Sequence, residues 1–377
     1  MKLHDTHSVE RAVLAQVVQA KSDVAEAADS LLELQRLTDT AGLEIVGQLT
    51  QNRLKPDGGT MFGSGKVADL KSLVEAKAAD TVIFDNELNA IQSYNLTKAL
   101  NTRVMDRTEI ILEIFARRAR SAEAQVQVEL ARLQFRLSRI MVTEAQQRFK
   151  GGIGMKGPGE SHLQLRNAPL RRRVAELKKR LEDIRKRQTA RDSVKRKWPV
   201  VSLVGYTNAG KSTLLNALSG ADAYIDDRLF ATLDTKTRMA WLNPTRQILL
   251  TDTVGFIRHL PHGLVASFRS TLNVAAQADL LLIVVDAAYP RVEDHIAICT
   301  ATLAEIGARN VPSLLILNKC DCGTAGNAVT HITEKYPQAI PVSARTGYGM
   351  PLLKQAIIEE LQKCCTLWRL PSAISRI

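Results

Sequence analysis

An apolar run, Val200-Val201-Ser202-Leu203-Val204, leads directly into Gly205-Tyr206-Thr207-Asn208-Ala209-Gly210-Lys211-Ser212, and a helix-like stretch, Thr213-Leu214-Leu215-Asn216-Ala217-Leu218, follows. A strand, a glycine-bounded loop and a helix in that order are the setting a phosphate-binding loop requires. The glycines let backbone N–H groups turn inward around an anion, and the helix N-terminus adds the positive end of its dipole. Lys211 is placed to reach β- and γ-phosphates, and the Ser212 hydroxyl to ligate Mg²⁺. A glycine turn that merely carries a lysine is the plain alternative, and the flanking strand and helix argue against it.

Four further segments specify the base and the chemistry. Ile248-Leu249-Leu250-Thr251 reads as a buried strand ending in Asp252-Thr253-Val254-Gly255. Asp252 is expected to hold the metal ion through water, and the Gly255 N–H to meet a γ-phosphate. Leu314-Leu315-Ile316-Leu317 runs into Asn318-Lys319-Cys320-Asp321. A carboxylate at Asp321 can accept from both N1–H and N2–H₂ of guanine, a donor pair that adenine lacks, while the Asn318 amide can brace the loops. Ile340-Pro341-Val342 precedes Ser343-Ala344-Arg345, where backbone N–H groups can donate to guanine O6. Thr232, between the phosphate loop and Asp252, stands where a γ-phosphate-sensing threonine belongs and is a third candidate metal ligand beside Ser212 and Asp252. Each string alone is weak. Five in order, each set against a predicted strand, define a GTPase domain that binds GTP and GDP, with Lys211, Thr232 and Gly255 as its candidate catalytic groups.

The rest of the 377 residues leaves room for two or three domains. No run of about 18 apolar residues occurs, so no membrane-spanning helix is expected. Five cysteines, an odd number and unevenly spaced, fit reduced thiols and a cytoplasmic setting. Cys320-Asp321-Cys322 is not read as a metal site, because Asp321 belongs to the base loop and no second cluster lies near in sequence. The formal charge is +12, and it is concentrated: between Arg166 and Lys197 there are fourteen Lys or Arg against four Asp or Glu, a net of +10. A solvated helix face mixes signs, so this segment points to a polyanion, with backbone and shape recognition favoured over base stacking because no aromatics interleave.

Residues 9–105 alternate strand-like runs (Val13–Val18, Leu43–Val46, Thr81–Phe84, Arg103–Met105) with helix-like stretches near 23–41, 66–77 and 89–99, which predicts a small α/β domain with a largely parallel sheet. Its Gly58–Val67 stretch imitates a phosphate loop, but the glycine spacing is wrong and Val67 stands where the metal-binding hydroxyl should be. It reads as a flexible loop capping the next helix. From Asp106 the pattern turns helical. Val126, Leu130, Leu133, Leu137 and Ile140, then Leu170, Val174, Leu177, Leu181 and Ile184, repeat spacings of 4, 3, 4, 3. Two such seams around the glycine-rich Lys150–Gly159 predict an antiparallel helical hairpin with a binding loop at its tip. The expected division is 1–105, an N-terminal α/β domain; 106–197, the hairpin; 198–364, the GTPase domain; and 365–377, a short tail.

These features resemble the HflX family of ribosome-associated GTPases over nearly the whole chain. The residues that carry the resemblance are Phe62-Gly63-Ser64-Gly65-Lys66, Asp106-Arg107-Thr108, Phe230-Ala231-Thr232-Leu233-Asp234, Asp252-Thr253-Val254-Gly255-Phe256 and, most specifically, Gly151-Gly152-Ile153-Gly154 with Gly157-Pro158-Gly159-Glu160. The resemblance implies binding to the large ribosomal subunit and its rRNA, and separation or rescue of stalled ribosomes under stress. Gly151, Gly152, Gly154, Lys156 and Gly157 in the loop, with Arg171, Arg172, Lys178 and Lys179 on the second helix, become candidate ribosome contacts. Two departures stand out. Ser161-His162-Leu163-Gln164-Leu165-Arg166-Asn167 replaces the acidic stretch usual after Glu160, and the further C-terminal domain common in the family has no counterpart before Ile377, where reduced activity is expected.

Phe256 occupies the position where many GTPases carry a water-orienting Gln. A phenyl ring cannot position water by hydrogen bonding, so slow turnover is expected without an activating partner, the ribosome being the obvious one. Asn208 adds K⁺ as a candidate second cofactor beside Mg²⁺, through its side-chain oxygen. The apolar stretch with Leu260, Leu264, Val265 and Phe268 would carry switch movement to the hairpin. A monomer is expected. An RNA-binding or assembly factor in which GTP only holds a shape is the competing reading.

Overall fold

The computed structural model describes residues 9–19, 23–150, 162–192, 198–220, 229–230, 232, 235–258, 274–323 and 325–364. Two compact units divide the chain: residues 1–117 with 125–182, and residues 118–124 with 183–377. Among the described residues no helix is long and apolar enough to cross a membrane.

The first unit is built on β1 (Arg11–Gln19), β2 (Glu44–Arg53), β3 (Thr81–Phe84) and β4 (Arg103–Asp106), all parallel, in the order β2-β1-β3-β4. β1 and β3 are buried along nearly their whole length, as central parallel strands must be. The crossovers are α1 (Val24–Thr40), α2 (Ser64–Lys77) and α3 (Ala90–Leu100). Asp23 caps α1 through the Ala25 N–H, and Asn89 with Gln92 forms a reciprocal capping box at α3. The stretch before α2 is not the loose loop its glycines suggest. The Asp57 carboxylate accepts from the N–H groups of Gly59 and Thr60 at 2.8 and 3.0 Å, Met61 pairs back to Asp57, and Phe62 is buried against Phe84. Those backbone donors hold the Asp57 carboxyl below its ordinary value. A side chain that turns the chain on itself supplies the order that glycine withholds.

The unit continues into α4 (Arg107–Arg118), whose Arg107 is buried between Asp85 at 2.7 Å and Glu33 at 3.0 Å. Two long helices follow, α5 (Ala122–Lys150) and α6 (His162–Asp192). Val126, Leu130 and Leu137 on α5, and Leu177 and Leu181 on α6, are buried, so both heptad seams face inward. Arg173 of α6 donates to the Glu129 carboxylate of α5 through Nε and Nη2, at 2.8 and 3.2 Å. Arg171, Arg172, Lys178 and Lys179 are exposed. The glycine-rich segment with Gly151, Gly152, Gly154, Lys156 and Gly157 lies outside the described residues.

The second unit carries a six-stranded sheet of β5 (Val200–Gly205), β6 (Lys236–Asn243), β7 (Arg246–Asp252), β8 (Leu280–Asp286), β9 (Ser313–Asn318) and β10 (Ile340–Pro341), ordered β10-β9-β8-β5-β7-β6. All neighbours are parallel except the β6–β7 hairpin. The buried core gathers Val201, Leu203, Leu250, Leu282 and Ile316 from the strands with Leu214 and Leu218 of α7 (Lys211–Ser219) and Leu353 and Ile357 of a C-terminal helix at Met350–Cys364. Between Asp286 and that helix lie α8 (Val292–Glu305) and α9 (Ala325–Lys335), which makes Met350–Cys364 α10. Chain order reverses between β5 and β8. The carboxyl ends of strands at such a reversal form the crevice where α/β sheets take ligands.

Candidate functional site

At that crevice the backbone of the Gly205–Ser212 loop is held in conformations few residues tolerate. Gly205 has φ +151°, and a Cβ there would stand 2.1 Å from the Val284 carbonyl of β8. Gly210 has φ +87° and packs against the Asn318 amide, while Asn208, exposed, lies in the left-handed region at φ +59°. The loop therefore winds tightly into the N-terminus of α7, whose first turn carries no acidic residue to compete with an anion. Lys211 is buried, with its Nζ donating to the carbonyls of Gly205 at 3.1 Å and Tyr206 at 2.7 Å. Burial pushes its ammonium below the ordinary lysine value, and the Asp252 carboxylate opposes that shift. A cation so placed attracts a polyphosphate strongly, because little water screens it.

Three oxygens converge beside Lys211. The Ser212 hydroxyl donates to Asp252 Oδ2 at 2.6 Å, the Thr232 hydroxyl donates to the same oxygen at 2.8 Å, and the two hydroxyls are 3.0 Å apart. Asp252 Oδ1 is buried and has no hydrogen-bond partner among the described residues. One carboxylate and two hydroxyls make an all-oxygen donor set suited to a hard divalent cation that keeps part of its water shell. Gly255 lies against the cluster: a Cβ there would come within 2.8 Å of Thr207 Cα and 3.0 Å of Lys211 Nζ. Thr253 is fixed from behind by its hydroxyl on the Leu203 carbonyl at 2.7 Å, and Val254 is buried.

Asn318, at the end of β9, joins the two ends of the crevice. Its Nδ2 donates to the Ala209 carbonyl of the phosphate loop at 2.9 Å, and its Oδ1 accepts from the Ala344 N–H at 3.0 Å. Lys319 pairs with Asp286 at 2.7 Å. Asp321 is exposed, and its carboxyl is held below the ordinary value first by the Ser343 hydroxyl donating to it, with Arg345 and Lys319 adding smaller electrostatic help. A carboxylate kept ionised and open to solvent on the rim of the crevice can accept from a base edge. Ser343 itself is buried and turned by its N–H on the Tyr348 carbonyl.

Phe256 supplies nothing polar to this crevice. Its ring is buried among Val204, Ala275, Leu281, Cys299 and Leu303, and its backbone exchanges hydrogen bonds with the phosphate loop: Phe256 N–H to Gly205 O at 3.0 Å, Thr207 N–H to Phe256 O at 2.8 Å. Residues 259–273, with Leu260, Leu264, Val265 and Phe268, lie outside the described residues.

One group of side chains beside the phosphate loop escaped the motif reading. His295 of α8 is sandwiched between Tyr206 and Tyr289, with ring centroids 3.8 and 4.1 Å away and planes within about 10° of parallel. Burial first, and the nearby Arg258 cation second, push its imidazole down to about 3, so it is neutral at physiological pH. No local periodicity flags these residues, because Tyr206, Arg258 and the Tyr289–His295 stretch come from three separate segments. A Tyr at the second position of the phosphate loop was the one available signal.

Comparison with known proteins places the chain among GTP-binding proteins along most of its length. The family described as GTP-binding GTPase N-terminal matches residues 28–116, GTP-binding GTPase Middle Region matches 118–195, and 50S ribosome-binding GTPase matches 200–319. GTPase HflX of Caldanaerobacter subterraneus subsp. tengcongensis is 42% identical over 357 residues, covering 94% of this chain and 81% of its own. GTPase HflX of Escherichia coli is 42% identical over 337 residues, covering 88% of this chain and 79% of its own. Among solved structures, a GTP-binding protein from Sulfolobus solfataricus in complex with GDP aligns over 93% of this chain and 99% of its own, at 25% identity and a TM-score of 0.48.

Proposed function

The chain belongs to the HflX family of GTPases and is a GTP-hydrolysing enzyme, and on that footing we propose that it acts in the cytoplasm on the large ribosomal subunit, separating or rescuing stalled ribosomes under stress. The observation that carries the proposal is the exposed basic face of α6. Arg171, Arg172, Lys178 and Lys179 stand outward from a helix whose apolar seam is buried, so their charge is free for the phosphates of rRNA. The division at 105, 197 and 364 assigns that arm to the ribosome and the third segment to the nucleotide.

Within the nucleotide site, Lys211 and the N–H groups from Gly205 to Thr213 take the phosphates, Asp321 the guanine edge, and Ser343, Ala344 and Arg345 the far side of the base. Ser212, Thr232 and, through water, Asp252 would hold Mg²⁺, which when bound supplies charge stabilisation on the phosphate oxygens. Gly255 would meet the γ-phosphate together with Thr232, and loss of that phosphate would release both. The buried Phe256 ring leaves the attacking water without an orienting group, so the protein alone, a monomer in this reading, turns over slowly. K⁺ held near Asn208 is one source of help and the ribosome the other.

Sedimentation through sucrose with a β,γ-imido analogue of GTP tests the proposal. The protein is expected to co-migrate with large subunits, and a variant with Arg171, Arg172, Lys178 and Lys179 changed to Glu is expected to remain at the top. Equal migration of both proteins would sink the assignment. The same Phe256 burial also suits an assembly factor for which GTP only stabilises a binding shape. Single-round kinetics separate the two, since stimulation of hydrolysis by large subunits by orders of magnitude is expected only of the switch.

A further inference from the structure

Five side chains beside the phosphate loop take no part in the proposed nucleotide contacts: Tyr206, Arg258, Tyr289, Asp294 and His295. The Tyr206 hydroxyl accepts from the Arg258 backbone N–H at 2.9 Å. The Arg258 guanidinium, only 5% exposed, pairs with Asp294 at 3.0 Å, and Asp294 also holds Arg291 at 2.6 Å. The Tyr206 ring cannot swing away from this bond, because His295 covers its face and Tyr289 covers His295. His295 gives the stack a flat neutral ring, and its Nδ1 has no hydrogen-bond partner among the described residues.

We propose that Tyr206 is a positioning residue that sets the preference for GTP over GDP, by clamping the Gly255–Arg258 stretch onto the phosphate loop before nucleotide binds. This rests on the reading that the Gly255 N–H meets the γ-phosphate. Beside the side-chain pair of Arg258 with Asp294 and the buried Phe256 ring, the backbone of the stretch is held at three points: Phe256 N–H on Gly205 O, Thr207 N–H on Phe256 O, and Arg258 N–H on the Tyr206 hydroxyl. The first two run between backbone atoms and do not involve the Tyr206 side chain. The third depends on one side chain, and it is the point farthest along the stretch, where the chain leaves the phosphate loop. With that anchor in place the Gly255 N–H is already aimed, and binding GTP costs no ordering of this segment. Without it, the segment must be fixed when GTP binds. GDP has no γ-phosphate and does not use Gly255, so its affinity is insensitive to the anchor.

Nucleotide affinities of the wild type, Tyr206→Phe, His295→Phe and His295→Ala test this, measured by calorimetry with the β,γ-imido analogue of GTP and with GDP in the presence of magnesium. Tyr206→Phe keeps the stacked ring and loses only the hydroxyl, so about a tenfold loss for the analogue is expected with GDP unchanged within about twofold. His295→Phe preserves the stack and is expected to match the wild type for both nucleotides. His295→Ala opens a space beside Tyr206 and is expected to copy the Tyr206→Phe pattern. A parallel thermal melt separates positioning from folding, since a purely structural role lowers both affinities together with stability. Equal losses for the two nucleotides in Tyr206→Phe, or no loss for either, would overturn the proposal, as would His295→Phe failing as badly as His295→Ala. If the wild type itself binds neither nucleotide, or binds them without regard to the γ-phosphate, it is the site reading that falls, and not the anchor alone.

Discussion

Asn318→Ala probes the joint between the phosphate end and the base end of the crevice. Asn318 is 2% exposed and makes two hydrogen bonds, to the Ala209 carbonyl at 2.9 Å and from the Ala344 N–H at 3.0 Å. Truncation strands one buried acceptor and one part-buried donor, at about 1–3 kcal/mol for each group left without a partner. It also opens space next to Gly210, whose tight backbone is packed on the Asn318 amide. Part of the cost falls on stability of the free protein. The rest appears in binding, because nucleotide would have to re-form the loop geometry, and 1.4 kcal/mol corresponds to about tenfold in affinity. A loss of about 10- to 100-fold is therefore expected, and it should be the same for GTP and GDP, since both use the phosphate loop and the base loop. Displacement of a fluorescent guanine nucleotide measures both. Asn318→Asp keeps the acceptor for the Ala344 N–H but sets a carboxylate oxygen against the Ala209 carbonyl, so it should bind no better than the Ala variant. Affinities within about threefold of the wild type, or a loss confined to GTP, would show that Asn318 does not join the two ends of the crevice.

Two other outcomes follow from individual groups. If the exposed Asn208 oxygen helps hold a monovalent cation by the phosphates, turnover in KCl exceeds turnover in NaCl and Asn208→Ala removes the difference; equal rates in the two salts discard the idea. His295 contributes a pH dependence of stability with a definite sign. Its imidazole is lowered from 6.5 to about 3 in the folded chain, so below pH 6.5 the unfolded state takes up a proton that the folded state refuses. Stability is thus lost as pH falls from 6.5 toward 3, by about 2 kcal/mol between pH 7 and pH 5. Denaturant titrations at those two pH values should show a drop about that much smaller for His295→Phe, and identical pH slopes would contradict a neutral buried imidazole.

Much of the candidate nucleotide site is legible in the sequence because its parts sit at the ends of strands, where one short string carries both the strand and the turn. Gly205, Asp252 and Asn318 each end a run of apolar residues long enough to read as a buried parallel strand, and in the fold each ends its strand at the same edge of one sheet. β6 is illegible for a physical reason. It buries Ala240 and Leu242 and exposes the larger Met239 and Trp241, so its alternation does not mark the inward face. The turn at Asp57 was hidden by glycines that suggest looseness, while the order comes from one carboxylate accepting backbone donors. The Tyr206–His295–Tyr289 stack is hidden for a tertiary reason: Tyr206 reaches His295 from a distant segment, and Tyr289 stands in the turn before the helix that carries His295, so no helical or strand spacing links the three rings. The heptad seams were readable because burial of Leu177 and Leu181 repeats at the helical period.

In the proposed site the carboxylate of Asp321 and the loop around Lys211 grip opposite ends of one guanine nucleotide. Calorimetry of Asp321→Asn with GTP and with xanthosine triphosphate tests this most directly, because an amide exchanges an acceptor for a donor where xanthine presents a carbonyl. Binding of GTP should weaken by about 100-fold or more while the xanthine nucleotide gains, because the charge-assisted pair of hydrogen bonds to the guanine edge is lost. A variant that keeps full preference for GTP would contradict the account.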